Sequence, residues 1–429
     1  MGRRPASTLA SSGEVLHLIR TGEAVTRADI GRITGLSRPA VALRVAGLLD
    51  HGLVVEHTDG PSTGGRPPAR LAFDASGGVV LVASLGASRT QIALCDLAGR
   101  ELARTDLRID VERGPDVVLP LLMDVWADLL EGRPMSAVKG AGLGVPATVE
   151  FAAGRTESAR VMAGWTGVVI PPLISARFPV PVFVDNDVNV IAMGEYREAY
   201  AREVSDLLFV KVSTRIGAGV IAGGQILRGA LGAAGEIGHI PVRDGGGVLC
   251  RCGNVDCVDS VASGTAILRD LRACGRDVHS LSDVVALVRT GDAETMTVVR
   301  RAGRLLGEVV ASAVNLLNPA VVVLGGDVAE RFQPLVSGVR EVVYRRSTAL
   351  STRSLRIERS RLGPSAGITG CALMVIDHIL APEAVDAAID AAAGAAGVAG
   401  GAISAGTAAG SELAPAPAGR RPATATGSG

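Results

Sequence analysis

The feature that most restricts the fold is a change of rhythm near Gly77. Upstream the chain reads as short helices; downstream, strand-like and helix-like segments alternate almost to residue 380. "GGVVLVASLGASRTQIALCDLAGRELARTDLRID" alternates as three consecutive strands with a turn at Leu97–Arg100. A helical segment near Asp116–Leu130 and a strand at Ala141–Val145 follow, and the buried strand "VPVFVDND" leads into a helix from about Val190. Next come a second hairpin region, "LLFVKVSTRIGAGVIAGGQIL", a helix near Gly303–Leu317 and the strand "AVVVLGG". Such alternation implies an α/β protein. At 429 residues the chain is too long for one core, so two lobes are expected here.

The segment Gly13–Asp74 reads as a separate unit. A helical pattern at Val15, Leu16, Leu18 and Ile19 precedes "TRADIGRITGLSRPAVALRVAGLLDHGLVVEH". Thr26 can cap a helix, with Asp29 at the capping-box position. Gly35 stops that helix, and Ser37 caps the next, with Pro39 tolerated in its first turn. Val41, Val45, Leu48 and Leu49 repeat at helical spacing and face a core. Two short helices joined by "TGLS" predict a helix-turn-helix, with a small helical bundle as the plainer alternative. "LVVEH" and "ARLAF" read as strands flanking a glycine-rich tip, which makes a wing.

Charge is balanced, with 43 basic and 43 acidic side chains, so a polybasic protein is excluded but a small DNA-binding module is not. All of the basic side chains except Lys139 and Lys211 are arginine. No secretory pattern opens the chain and no stretch of about eighteen strongly apolar residues occurs, so a cytoplasmic protein without a membrane partner is expected. Residues 381–429 are Ala, Gly, Pro, Ser and Thr with few long aliphatic residues, and a disordered tail is expected there.

One loop concentrates chemistry. "HIPVRDGGGVLCRCGNVDC", His239 to Cys257, holds three of the six cysteines. His239, Cys250, Cys252 and Cys257 offer enough ligands for a closed tetrahedral zinc site. A redox switch is the alternative, disfavoured in a reducing compartment. Cys95, Cys274 and Cys371 stand alone in apolar settings and read as ordinary buried thiols.

"GEIGHIPV" followed by "CRCGNVDCVDSVASG" resembles the signature of the ROK family of repressors, uncharacterised reading frames and sugar kinases. The resemblance extends over about residues 13–380. It includes "GLGVPATV", "GW" at Gly164–Trp165, "VDNDVN" at Val184–Asn189, "IGAGVIAGGQILRG" and "NLLNPAVVVLGG". The N-terminal unit is similar to the repressor branch, the relatives of xylose and N-acetylglucosamine repressors. The resemblance implies a two-lobed ribonuclease H-like (actin-like ATPase) fold, with a sugar in the cleft, preceded by a winged helix-turn-helix. The expected divisions are 1–75 for the DNA-binding unit, 76–188 for a small lobe and 189–364 for a large lobe with the zinc motif. The helix 365–380 is expected to return to the small lobe. By similarity, Asn186 and Asp187 hydrogen-bond sugar hydroxyls, Asp187 standing where kinases keep their general base. Glu236 and His239 contact the sugar, His239 also holding the zinc, and Asp259 stands where the family usually has Glu. For Asp187 the plainer reading is a carboxylate capping the following helix.

The resemblance also exposes departures. The first kinase-type phosphate loop carries an aspartate where this chain has Ser84, and Mg²⁺ sites lean on carboxylates. In the second loop, "STRIGAG", Ser213 and Arg215 replace glycines where backbone approaches phosphate. "GLGVPA" at Gly142–Ala147 imitates a dinucleotide fingerprint but contains proline and lacks the following helix. The expectation is a regulator that binds a sugar or sugar phosphate and operator DNA as a homodimer or higher homo-oligomer, not an enzyme; an active ATP-dependent sugar kinase is the alternative. DNA contact is expected from Ser37, Arg38 and Arg44 on the recognition helix. Ala40 and Ala42 offer no polar reader there, and Arg66 in the wing "GRP" fits either a minor-groove hook or a solvated charge. If the hook reading holds, Arg66→Ala weakens operator binding by about 1–3 kcal/mol and relaxes A·T preference beside the half-site. An unchanged footprint would show that the wing reads nothing.

Overall fold

The computed structural model describes residues 10–57, 69–86, 89–157 and 164–392. Helix α1 (Ser12–Arg20) is capped by Ser11, whose hydroxyl accepts from the Glu14 amide while the Glu14 carboxylate accepts from the Ser11 amide. Thr26 caps α2 (Arg27–Thr34), and its hydroxyl donates to Asp29. Asp29 also accepts from the Val25 amide at 3.4 Å, so its return bond falls one residue before the cap. Gly35, at φ 74°, ends that helix, and Ser37 caps α3 (Arg38–Asp50). Strands β1 (Val54–His57) and β2 (Arg70–Phe73) pair antiparallel, with Val54 opposite Phe73. Val15, Leu16, Ile30, Val41, Val45 and Leu48 close a core between the helices, giving a winged helix-turn-helix. The wing tip, Arg66 included, lies outside the described residues.

The first lobe's sheet is built from β3 (Val79–Leu85), β4 (Thr90–Asp96) and β5 (Glu101–Leu107), followed by α4 (Pro115–Leu130), β6 (Val138–Val145) and β7 (Val182–Asn186). Its order is β5-β4-β3-β6-β7, with β3–β5 antiparallel and the β3–β6 and β6–β7 pairs parallel. β3 and β4 are buried along their whole length, as strands covered on both faces must be. Trp126 of α4 anchors one face by donating its indole N–H to the Val82 carbonyl at 3.1 Å. Helix α5 (Asp187–Glu195) starts three residues before the sequence expectation because Asn186 caps it.

The second lobe repeats the plan. β8 (Leu207–Val212), β9 (Ile216–Ala222) and β10 (Gln225–Ile226) form the antiparallel part. Helices α6 (Val258–Ala262) and α7 (Ala293–Leu317) intervene before β11 (Val321–Gly325); α8 (Gln333–Arg346) then leads to β12 (Arg356–Arg359). The order β10-β9-β8-β11-β12, with the last two pairings parallel, matches that of the first sheet. This doubling is the ribonuclease H-like architecture. Helix α9 (Ala366–Ile379) then returns to pack on β3 and β6 of the first sheet.

Glycines set how closely α9 approaches. A Cβ on Gly142 would sit 2.5 Å from Val375, so the "GLGVPA" glycines serve helix-on-sheet packing. Where α9 crosses α5, a Cβ on Gly370 would sit 1.7 Å from the Val190 carbonyl. One expectation needs correction: the stretch from residue 381 is not wholly a disordered tail. Pro382–Ala392 is a further helix, α10. Val385 is buried, Ile389 meets Gly47 of α3, and Asp386 accepts from the Gly13 amide at 2.9 Å. Two aliphatic side chains one turn apart suffice because they land on an existing apolar surface. Residues 393–429 lie outside the described residues. Among the described residues no single helix is long and apolar enough to cross a membrane.

A pair of substitutions tests this packing by thermal or denaturant melting. Gly370→Ala clashes with partner backbone that no rotamer can relieve and is expected to destabilise by at least about 1–3 kcal/mol. Gly47→Ala meets Ile389 at an ordinary 3.7 Å and is expected to stabilise by about 0.5–1 kcal/mol through helix propensity.

Candidate functional site

The facing ends of the two sheets enclose a cleft bordered by Asn186, Asp187, Lys211, Glu236, His239 and Asp259. The structure thus brings together all five residues expected to meet a sugar. Their freedom differs. Asn186 accepts from the Val188 amide at 2.8 Å and donates to the Ala147 carbonyl at 2.9 Å, so its amide is largely engaged in holding the β7–α5 corner. It is Asn186, and not Asp187, that caps the helix. The carboxylate of Asp187, nearly buried, accepts from the Lys211 ammonium at 2.5 Å. Asp259 accepts from the Ile216 amide at 2.8 Å, and burial raises its carboxyl above the usual range. Glu236 accepts from Thr148 at 2.7 Å, a hydrogen bond that bridges the lobes.

A second bridge lies beside the first. Arg228 donates to the fully buried Asp185 at 2.7 Å and lies 3.8 Å from the Phe151 ring centroid. The positions that the resemblance equates with phosphate loops carry side chains that are engaged elsewhere. Ser84 is buried against Gly367, Ser213 donates to Asp327 at 3.4 Å, and Arg215 reaches Asp259 at 3.5 Å. Trp165 of the "GW" pair is fully buried and donates to the Val111 carbonyl, away from the cleft.

One end of the cleft adjoins a thiol cluster. Single ligand atoms of His239, Cys250, Cys252 and Cys257 all lie within 4.8 Å of one another, and none of these cysteines is in a disulfide. Sulfur ligands on a tetrahedral ion of zinc's size stand about 3.8 Å apart, so the donor set is compact enough for one metal. The two histidine nitrogens face different ways: Nδ1 lies 3.6 Å from the Cys250 sulfur, and Nε2 4.0 Å from the Glu236 carboxylate. Burial pushes the Cys257 thiol up to about 12, whereas the Asn254 amide lowers Cys252.

At the N-terminal unit, the exposed face of α3 carries Arg38, Ala42 and Leu43, with Ser37 at its start. Leu43 is 68% exposed. Arg44 does not join this face. It is half-buried and donates to the Ala10 carbonyl at 3.3 Å, on the side of α3 that meets α1.

The family model for ROK proteins matches residues 81–378. The chain belongs to the ROK family. A xylose repressor from Caldicellulosiruptor bescii is 28% identical over 382 residues, covering 86% of this chain and 95% of its own. That span exceeds everything downstream of residue 75, so it includes part of the N-terminal unit. A glucokinase from Halalkalibacterium halodurans is also 28% identical but covers 68% of this chain and 93% of its own. Among solved structures, a ROK family transcriptional regulator, homolog of the E. coli MLC protein, aligns with a TM-score of 0.74 and 25% identity, over 88% of this chain and 98% of that one.

Within this ROK cleft, Lys211, Thr148 and Arg228 escaped the sequence reading. Lys211 had a signal: it is one of two lysines in the chain and interrupts the apolar strand "LLFVKV". Thr148 and Arg228 lie inside the motifs "GLGVPATV" and "IGAGVIAGGQILRG", but nothing local pointed to their partners, 88 and 43 residues away. The metal cluster is checked by elemental analysis. One ion per chain is expected, and Cys252→Ser is expected to lose it; metal-free protein with freely titrating thiols would remove the cluster from consideration.

Proposed function

We propose that this ROK protein is a sugar-responsive transcriptional repressor whose lobes bind a ligand without phosphorylating it. The carrying observation is an asymmetry within one cleft. Asp187, Glu236 and His239 remain able to meet hydroxyl groups, while Ser84, Ser213 and Arg215 occupy both phosphate loops. Asp187, which a kinase would need as a free base, is held by Lys211. Phosphoryl transfer depends on positioning and metal electrostatics, and both are compromised here. The repressor relative, matched into the N-terminal unit, supports the reading. The glucokinase relative keeps the kinase alternative worth testing.

Zinc suits the His239–Cys250–Cys252–Cys257 set: three sulfurs and one imidazole make a closed, structural site. These four residues would hold the cation, which would keep the thiolates together and fix the imidazole; His239 Nε2 lies 4.0 Å from the Glu236 carboxylate. Arg38 and Ser37 are placed for phosphate or guanine contact at the start of α3, and the exposed Ala42 and Leu43 suit thymine methyl groups. Arg66 supplies the wing contact. A homodimer in the cytoplasm, reading paired half-sites, completes the reading.

Coupling has a physical route. Asp377 of α9 accepts from Arg197, just past the end of α5, at 2.7 Å and lies 3.7 Å from Arg20 of α1. The other end of α5 carries Asp187. A ligand shifts DNA binding only through its differential affinity for the two states, and a shift of α5 on sugar binding supplies that difference. Asp187→Ala is expected to abolish the response to a panel of pentoses, hexoses and N-acetylhexosamines while sparing DNA binding without ligand. Sugar-dependent ATP turnover near 1 s⁻¹ would establish a kinase instead, and a bound sugar that leaves DNA affinity untouched would remove the coupling.

A further inference from the structure

Beyond the Asp187–Lys211 pair the cleft opens into a second chamber. Gly86, Asp187, Lys211 and Ser213 border both chambers, so a ligand in the first can extend into the second. Gln91 of β4 lines the second chamber and is only 6% exposed. Its side-chain Nε2 has no hydrogen-bond partner among the described residues. A buried donor without an acceptor is destabilising; Gln91 lines the chamber with this donor drawn back from its surface, so a turn of the amide toward an acceptor arriving with a ligand would satisfy it.

The charges say which kind. The second chamber presents Arg89 and Lys211 against Asp187, Asp327 and Glu330. The first presents Lys211 and Arg215 against Asp187, Glu236 and Asp259. Each has one more carboxylate than cation, which opposes a phosphate group. Burial beside Asp327 also raises the Glu330 carboxyl, so this wall already resists further negative charge. Mixed donors and acceptors on the walls suit hydroxyl groups, which donate and accept at once. Lys211 donates one N–H to Asp187 and has two more for an oxygen passing between the chambers.

We infer that the cleft takes an uncharged saccharide of at least two rings. The first ring lies against Asp187, Glu236 and His239, and the second lies in the chamber lined by Gln91. This rests on the sugar-sensing reading and narrows its ligand from a sugar or sugar phosphate to a neutral disaccharide or longer chain.

The test is titration calorimetry on the full chain with xylose and xylobiose, glucose with cellobiose and maltose, and glucose 6-phosphate. At least one disaccharide is expected to bind tenfold or more tighter than its monosaccharide, and glucose 6-phosphate to bind no tighter than glucose. Gln91→Leu, close in shape but without the donor, is expected to bring disaccharide affinity down to the monosaccharide value and leave the monosaccharide within twofold. Should that variant melt early, the wild-type affinity ratios decide alone. Monosaccharides binding as tightly as every disaccharide, or a tenfold preference for glucose 6-phosphate, would overturn the inference and leave the sensor reading standing. Binding of no sugar at all would overturn both.

Discussion

The crossing of α5 and α9 is the contact on which the rest of the molecule depends. It has no room for side chains: a Cβ at Gly370 would meet the Val190 carbonyl, and one at Gly194 the Ala366 carbonyl at 2.2 Å. Close packing of two backbones makes the helices move together or not at all. Helix α5 carries Asp187 into the cleft at one end and leads into Arg197 at the other. Helix α9 lies across the first sheet and passes directly into α10, against the N-terminal unit. The cleft and the winged unit are therefore joined through one closely packed helix pair.

Where the family resemblance implies phosphate loops, this cleft carries side chains. Glycine loops admit a phosphate because nothing projects from the backbone; Ser213 and Arg215 project, and each finds a carboxylate. Lys211 does the same for Asp187. The cleft thereby holds a set of internally paired groups: Lys211 with Asp187, Ser213 with Asp327 and Arg215 with Asp259.

How far the sequence revealed this differs from place to place for physical reasons. The helix caps at Thr26 and Ser37 and the left-handed stop at Gly35 were legible because capping is decided within a few residues. The two-lobed ribonuclease H-like fold was beyond local pattern and was implied by the family resemblance, while the strand order of each lobe is seen only in the structure. Arg44 was misplaced because helix position alone does not say which flank meets α1. Asn186 was assigned to ligand, yet its amide chiefly caps α5, a role visible in the order strand–Asn–helix. The ordered start of the C-terminal stretch was hidden by averaging, since Val385 and Ile389 are two residues in a long Ala-rich run. The clustering of His239 with Cys250, Cys252 and Cys257 was legible for a different reason: the three cysteines fall within one short loop after the histidine.

Helix α10 has a consequence for how such regulators can be recombined. The surface on which the N-terminal unit rests is partly encoded at the far end of the chain, where Asp386 meets the start of α1 and Ile389 meets α3. The winged unit is modular in sequence but not in contact. A chimera that grafts another DNA-reading unit onto these lobes, cut cleanly at residue 75, would inherit a clasp shaped for the unit it lost. A transplant would have to exchange both ends of the polypeptide together, the winged unit and residues 382–392.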